Sequence, residues 1–239
     1  MPVRPATRSD DSRSAILEAA ERLFAARGLQ DVTMSEVADA AGVARATVFN
    51  QFGSKHALVD AITAGVLGGY VLLLERALAD RETPTPVLVR ALFEWMGRGI
   101  EENARFYRAI FREIAKVSLG LDEGGEAEQR RRVALDLLRQ LHVRGQARGD
   151  LVRAQPAEEL ASAFDGLVFG TIIHWLYEDQ GDPLHERMLR AAELLLGGIG
   201  SSPHAPYRGP APVLVPEAVV QSRPPRRAGA ASRRTRRRP

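Results

Sequence analysis

The chain has 239 residues, 45% of them hydrophobic and 26% charged, with no cysteine and a formal net charge of +3. That is the composition of an ordinary globular protein with room for one large or two modest domains, and the missing cysteine excludes disulfides and thiolate metal sites. The charge is unevenly placed: residues 201–239 hold nine Arg and one Glu, which leaves residues 1–200 at −5.

Met1 to Ser12 is a polar arm carrying Arg4 and Arg8, with no apolar core of a secretory signal. Such an arm either stays unstructured or reaches a minor groove or a phosphate. Ser12 or Asp11 is placed to cap a helix from Arg13 to Arg27, closed by Gly28, with Ile16, Ala20, Leu23 and Phe24 as its apolar stripe. Thr33 and Glu36 then form a T-x-x-E capping box, so the next helix begins just after Thr33 and buries Val37, Ala38 and Ala41. Gly42 marks a reversal, and Ala44 to Gln51 makes about two more turns, with Ala44, Val48 and Phe52 inward. Two short helices around a glycine turn predict a helix-turn-helix, whose second helix enters the DNA major groove.

This stretch resembles the N-terminal DNA-binding domain of TetR-type (tetracycline-repressor-like) regulators. Thr33, Val37, Ala38, Ala41-Gly42-Val43, Thr47-Val48-Phe49, Phe52, Ser54-Lys55 and Leu58 carry the resemblance. Two positions depart from the family pattern. Phe49 stands where a tyrosine is usual, and keeps the bulk without the hydroxyl that could bond a phosphate; Gln51 stands where a histidine is common.

Arg45, Ala46, Thr47 and Asn50 are predicted to face the groove. Arg45 can donate twice to a guanine edge or once to a phosphate, and the Thr47 methyl can touch a thymine. Thr33, Phe49 and Lys55 complete the predicted DNA-binding set. Lys55 follows the N-cap Ser54, where a cation opposes the helix dipole unless an anion such as a phosphate sits there.

From His56 to about Asp80 the pattern stays helical, with Gly68-Gly69 marking close packing or a bend. Thr85 and Pro86 restart the chain as cap and first helical residue. Val87 to Glu102 and Ala104 to Val117 read as helices rich in aromatic residues. Of these, Phe93, Met96, Phe106, Tyr107, Ile110 and Phe111, together with His174 further on, are the candidate lining of an apolar ligand pocket; the bland alternative is a helical core. Glu126 to Arg148 resumes a helix in which Arg130-Arg131-Arg132 reads as a solvated face. Ala157 to Tyr177 and a helix opened by Pro183 follow, with Ala163, Gly166 and Gly170 as a seam of small residues. The resemblance implies that these last two helices pair with a second copy, with Phe164, Leu167, Trp175, Met188 and Leu195 as candidate dimerisation residues. After Gly200, the seven prolines from Pro203 to Pro225 and the run from Arg233 to Arg238 predict a disordered tail.

The fold class expected is therefore all-α: a three-helix helix-turn-helix domain over residues 1–60, a helical effector-binding and dimerisation domain over 61–200, and a tail over 201–239. The five histidines lack metal-ligand spacing, and no phosphate-binding loop or nucleophile elbow is present, so neither an enzyme nor a metal or other cofactor is expected. The longest nearly apolar run, Ala61 to Leu74, is short for a bilayer span, so no membrane is expected and the cytoplasm is the default. The expected partners are a double-stranded pseudo-palindromic operator, a second copy of the chain, and a small apolar or amphipathic effector. Two other readings stay open: a sequence-tolerant DNA-binding protein driven by the Arg-rich tail, and a helical small-molecule binder without operator recognition.

Overall fold

A computed structural model describes residues 8–121, 124–178 and 181–199; the predicted tail and most of the predicted N-terminal arm lie outside them. Among the described residues the chain forms α1 (Arg8–Arg27), α2 (Met34–Ala41), α3 (Arg45–Phe52), α4 (Lys55–Ala79), α5 (Thr85–Glu102), α6 (Ala104–Ser118), α7 (Glu126–Arg148), α8 (Ala157–Tyr177) and α9 (Leu184–Ile199), with no strand. The all-α expectation holds. Helix α1 starts five residues earlier than the cap signal suggested, which puts Asp11 in its opening turn, at the end where a carboxylate suits the helix dipole. Helix α5 starts one residue early, with Pro84 as N-cap, and the Thr85 N–H is satisfied by Asp150 Oδ2 at 2.9 Å.

The head is assembled by local chemistry. Thr33 Oγ1 accepts from the Glu36 N–H while the Glu36 carboxylate accepts from the Thr33 N–H, so both halves of the capping box are present. Gly42 takes a left-handed φ of 68° that lets its own N–H reach Asp39 O and the Val43 N–H reach Ala38 O. Ile16, Ala20 and Phe24 of α1, Val37 and Ala38 of α2, and Val48 and Phe52 of α3 close one core with Leu58. Ala44 does not join it: as N-cap of α3 it is exposed, and Arg13 instead covers the Phe52 ring at 4.6 Å.

Glu36 is also held by Arg27 Nη1 at 2.7 Å, tying the end of α1 to α2. Hydrogen bonds from Arg27, then from the Thr33 backbone and side chain, bring the Glu36 carboxyl down to about 2 from 4.5. A carboxyl depressed in the folded state stabilises the fold above its ordinary value, and that contribution is lost as pH falls from about 4.5 toward 2. Melting curves of the full chain between about pH 5 and 3 should therefore show a steeper loss of midpoint in the wild type than in Glu36→Gln. Parallel slopes would remove Glu36 from the acid response.

The body packs α4 along α7, α5 along α9, and α8 against both α7 and α9, while α1 of the head rests on α6. One continuous buried cluster runs from Ile16 to Leu196. Arg144 of α7 caps the end of α4 by donating to Ala77 O and Asp80 O, each at 2.8 Å. At the opposite end the debt is reversed. Helix α7 begins at Gly125, which has no side chain to cap it, and Asp60 of α4 accepts instead from the N–H groups of Glu126 (3.0 Å) and Ala127 (3.3 Å).

Helix α4 runs unbroken through Gly68-Gly69, and a Cβ on either would meet nothing within 4 Å. The close packing expected around that pair is therefore absent within the protomer. Helices α4 and α8 are long and apolar enough to pass as membrane spans by length and composition, which the count of uninterrupted apolar residues missed. In α4 half of the apolar window is buried inside the bundle; in α8 only a third is.

Candidate nucleic-acid interface and interior cavity

Helix α3 places its residues as a two-sided element. Val48 and Phe52 point into the head, whereas Arg45, Ala46, Phe49 and Asn50 are exposed and Thr47 is half-exposed. Arg45 and Asn50 make no ion pair or side-chain hydrogen bond among the described residues. Phe49 is 50% exposed, an uncommon position for a phenylalanine whose helix has a core to fill. Because its N-cap is Ala44, α3 has no side-chain acceptor over its first N–H groups. Gln51 is turned away and donates to Ser12 Oγ at 2.9 Å, bracing α3 on α1.

The two candidates outside α3 have internal duties. Thr33 Oγ1 donates its proton to Glu36 Oε2 at 2.8 Å, so a phosphate would have to compete for it. Lys55 Nζ donates to Gln30 O at 3.3 Å and keeps two further protons to offer, while Ser54 caps α4 through the Ala57 N–H.

A profile described as "Bacterial regulatory proteins, tetR family" matches residues 16–62, which span this helix-turn-helix. Residues 16–62 are thus similar to the DNA-binding domain of the TetR family. The chain's relatives include the HTH-type transcriptional repressor KstR2 of Rhodococcus jostii, 37% identical over 75 residues, which is 30% of this chain and 37% of that protein. KstR2 of Mycolicibacterium smegmatis is 28% identical over 158 residues, 63% of this chain and 72% of its own length. The first match thus spans little more than a third of its relative, the second nearly three quarters. Among solved structures, FadR from Thermus thermophilus, a TetR-family repressor in complex with lauroyl-CoA, superposes with a TM-score of 0.60 at 26% identity, covering 83% of this chain and all of that one.

The body of the chain holds a cavity of about 250 Å³. Three glycines make room for it. Gly65 and Gly69, one turn apart on α4, and Gly99 of α5 line the wall, and a Cβ on any of them would meet nothing within 4 Å. Of the residues expected there, Met96, Tyr107 and Phe111 line the cavity. The other four do not. Phe93 is fully buried against Phe164, ring centroids 4.8 Å apart, and Ile110 is fully buried in the core. Phe106 stacks edge-on against Tyr107 at 5.4 Å, on the neighbouring face of α6. His174 is exposed, because Asp165, Val168, Phe169 and Ile172 form the inward stripe of α8 and a residue two places beyond Ile172 lies about 200° around the helix.

Sequence reasoning missed the polar end of this cavity. Arg131 is not on a solvated face: its side chain is 12% exposed and its Nη2 donates to Asp165 Oδ2 at 2.5 Å. Arg130 and Arg132 on either side pair with Glu126 and Glu128 of their own helix and stay in solvent. Tyr70 of α4 joins the pair, its phenol pushed well above 10 by burial and then by the Asp165 charge. The signal available was the lone Asp165 amid an apolar helix.

Gly69→Leu should fill part of the cavity and raise the melting midpoint by about 2–4 °C, since leucine is the better helix former and meets no neighbour at its Cβ. A lower midpoint would mean that the wall is tighter than it looks.

Three of the residues expected at a dimer interface are already used inside the protomer: Phe164 and Met188 are fully buried and Leu195 is nearly so. Leu167 and Trp175 are half-buried. The exposed apolar surface of α8 and α9 is instead formed by Ala163, Gly166, Tyr177 and Leu194, the last 76% exposed.

Proposed function

We propose that this chain is a ligand-responsive transcriptional repressor of the TetR family that binds a pseudo-palindromic operator as a homodimer. Residues 1–60 read one half-site each, 61–200 bind the effector and pair the two copies, and the cytoplasm is the place of action. The observation that carries the reading is the outward row on α3, where Arg45, Phe49 and Asn50 are exposed among the described residues while Val48 and Phe52 anchor the helix in the core. Arg45 donates to a base edge; Thr47 and Ala46 pack against the groove; Lys55, Thr33 and the uncapped start of α3 meet phosphates. The relatives supply the direction of control, since both KstR2 proteins are named repressors. The cavity supplies the effector site: small, apolar, and walled by α4, which also carries the head, so a ligand there can shift the spacing of two heads. The exposed small residues Ala163 and Gly166 of α8 and the exposed Leu194 of α9 suit close approach by a second copy.

The test is a gel shift of the full chain on its own upstream DNA against scrambled DNA at about 150 mM salt, repeated without residues 201–239. Preference for the upstream DNA that survives truncation supports the repressor. Equal binding to both that disappears with the nine Arg residues of the tail would transfer the activity to the tail.

A further inference from the structure

The cavity is apolar along most of its wall but ends in three hydrogen-bond donors with nothing to receive them. Arg131 Nε and Nη1 and the Tyr70 hydroxyl are buried and have no hydrogen-bond partner among the described residues. Buried polar groups are nearly always paired, and a buried ion pair is no better a stabiliser than apolar side chains of similar volume. Packing alone thus does not account for this cluster. We propose that the cavity takes an uncharged, largely apolar molecule of about ten non-hydrogen atoms whose polar end is a hydrogen-bond acceptor, a ketone or ester carbonyl, bonded by Tyr70 and Arg131. This deepens the effector reading above and rests on it.

Size, polarity and charge each select this class. An engineered apolar cavity of about 150 Å³ holds benzene, so 250 Å³ holds about ten non-hydrogen atoms. The two arginine groups can only donate and the phenol can donate as well, so an acceptor satisfies all three. Among the described residues the one positive charge in the lining, Arg131, is already balanced by Asp165 at 2.5 Å, and the Tyr70 phenol is neutral. A carboxylate would bring a second negative charge beside Asp165 with no further cation to meet it. A carbonyl oxygen accepts two donors and adds no charge.

The test uses three probes of about ten non-hydrogen atoms each, propiophenone, phenylacetate and butylbenzene, titrated calorimetrically into the full-length protein without DNA. Propiophenone should bind more tightly than butylbenzene, and phenylacetate at least about tenfold more weakly than propiophenone. Tyr70→Phe should weaken propiophenone by about 3- to 10-fold and leave butylbenzene unchanged. The charge-neutral pair of substitutions Arg131→Met with Asp165→Leu should do the same, and thermal melts establish that each variant is folded. Butylbenzene binding as well as the ketone with no effect of Tyr70→Phe, phenylacetate binding best, or no binding of any probe would each overturn the proposal. Operator binding is scored separately. An operator bound without any ketone binding sinks this inference alone, and ketone binding without operator recognition sinks the repressor reading while this one stands.

Discussion

Arg45→Ala lowers affinity for the operator by about 30-fold to 10⁴-fold while leaving the melting midpoint where it was. One arginine bonded twice to a guanine contributes about 1–3 kcal/mol of discrimination, and a homodimer loses two such contacts at once. The fold is indifferent because the side chain is exposed and makes no ion pair or side-chain hydrogen bond among the described residues. Titrations against operators changed one base pair at a time distinguish the two roles open to it. If Arg45 reads a base, the variant loses preference at one symmetric pair of positions. If it holds a phosphate, affinity falls by a similar factor on every sequence and the salt dependence becomes shallower, as expected for Lys55→Ala. A variant that binds the operator as the wild type does would remove α3 from the recognition surface.

The second large effect concerns stability and sits far from the DNA. A Cβ on Gly97 would lie 2.5 Å from His185 Cα and 3.0 Å from His185 N, so the obstacle is backbone. The register of α9 on α5 is fixed at the same place by His185 Nδ1 and Glu101 Oε2, 2.8 Å apart, which leaves α9 no easy slide. Overpacking of this kind costs about 1–3 kcal/mol even after a methyl improves helix propensity, which for a chain of this size lowers the midpoint by about 2–12 °C. Gly68→Ala is the internal control. Its Cβ meets nothing within 4 Å, so the same chemical change should raise the midpoint through helix propensity. A pair of variants that shift in the same direction would refute the packing account of Gly97.

The head was legible because its signals are local. A threonine and a glutamate three residues apart, a glycine at the reversal and a serine before α4 each act on their own neighbours, and each appears in the structure where it was placed. The cavity was less legible because helical periodicity reports that a residue is covered, not by what. Phe93 and Met96 share the inner side of α5, yet only Met96 meets the cavity; Phe93 meets Phe164. Three consecutive arginines look alike in sequence, but successive residues turn by 100° on a helix, so the three together span about 200° and one of them can reach the inner side. Which one turned inward depended on Asp165, more than thirty residues away in the chain. Phe164 and Met188 failed as interface residues for the same reason: an apolar residue on a two-sided helix serves whichever neighbour is nearer, and here that neighbour is in the same chain.

Asp60 lies within the matched helix-turn-helix segment, but what it satisfies is the beginning of α7, the helix that carries Arg131 into the cavity. A hybrid regulator made by grafting a foreign head through residue 60 would therefore take away part of the receiving body. Unless the donor head brings an acid at that position, the first N–H groups of α7 lose their acceptor, and Gly125 offers no side chain to replace it. Modularity in this chain ends one helical turn sooner than the recognition unit does, and sensor designs that exchange heads should keep Asp60 with the body.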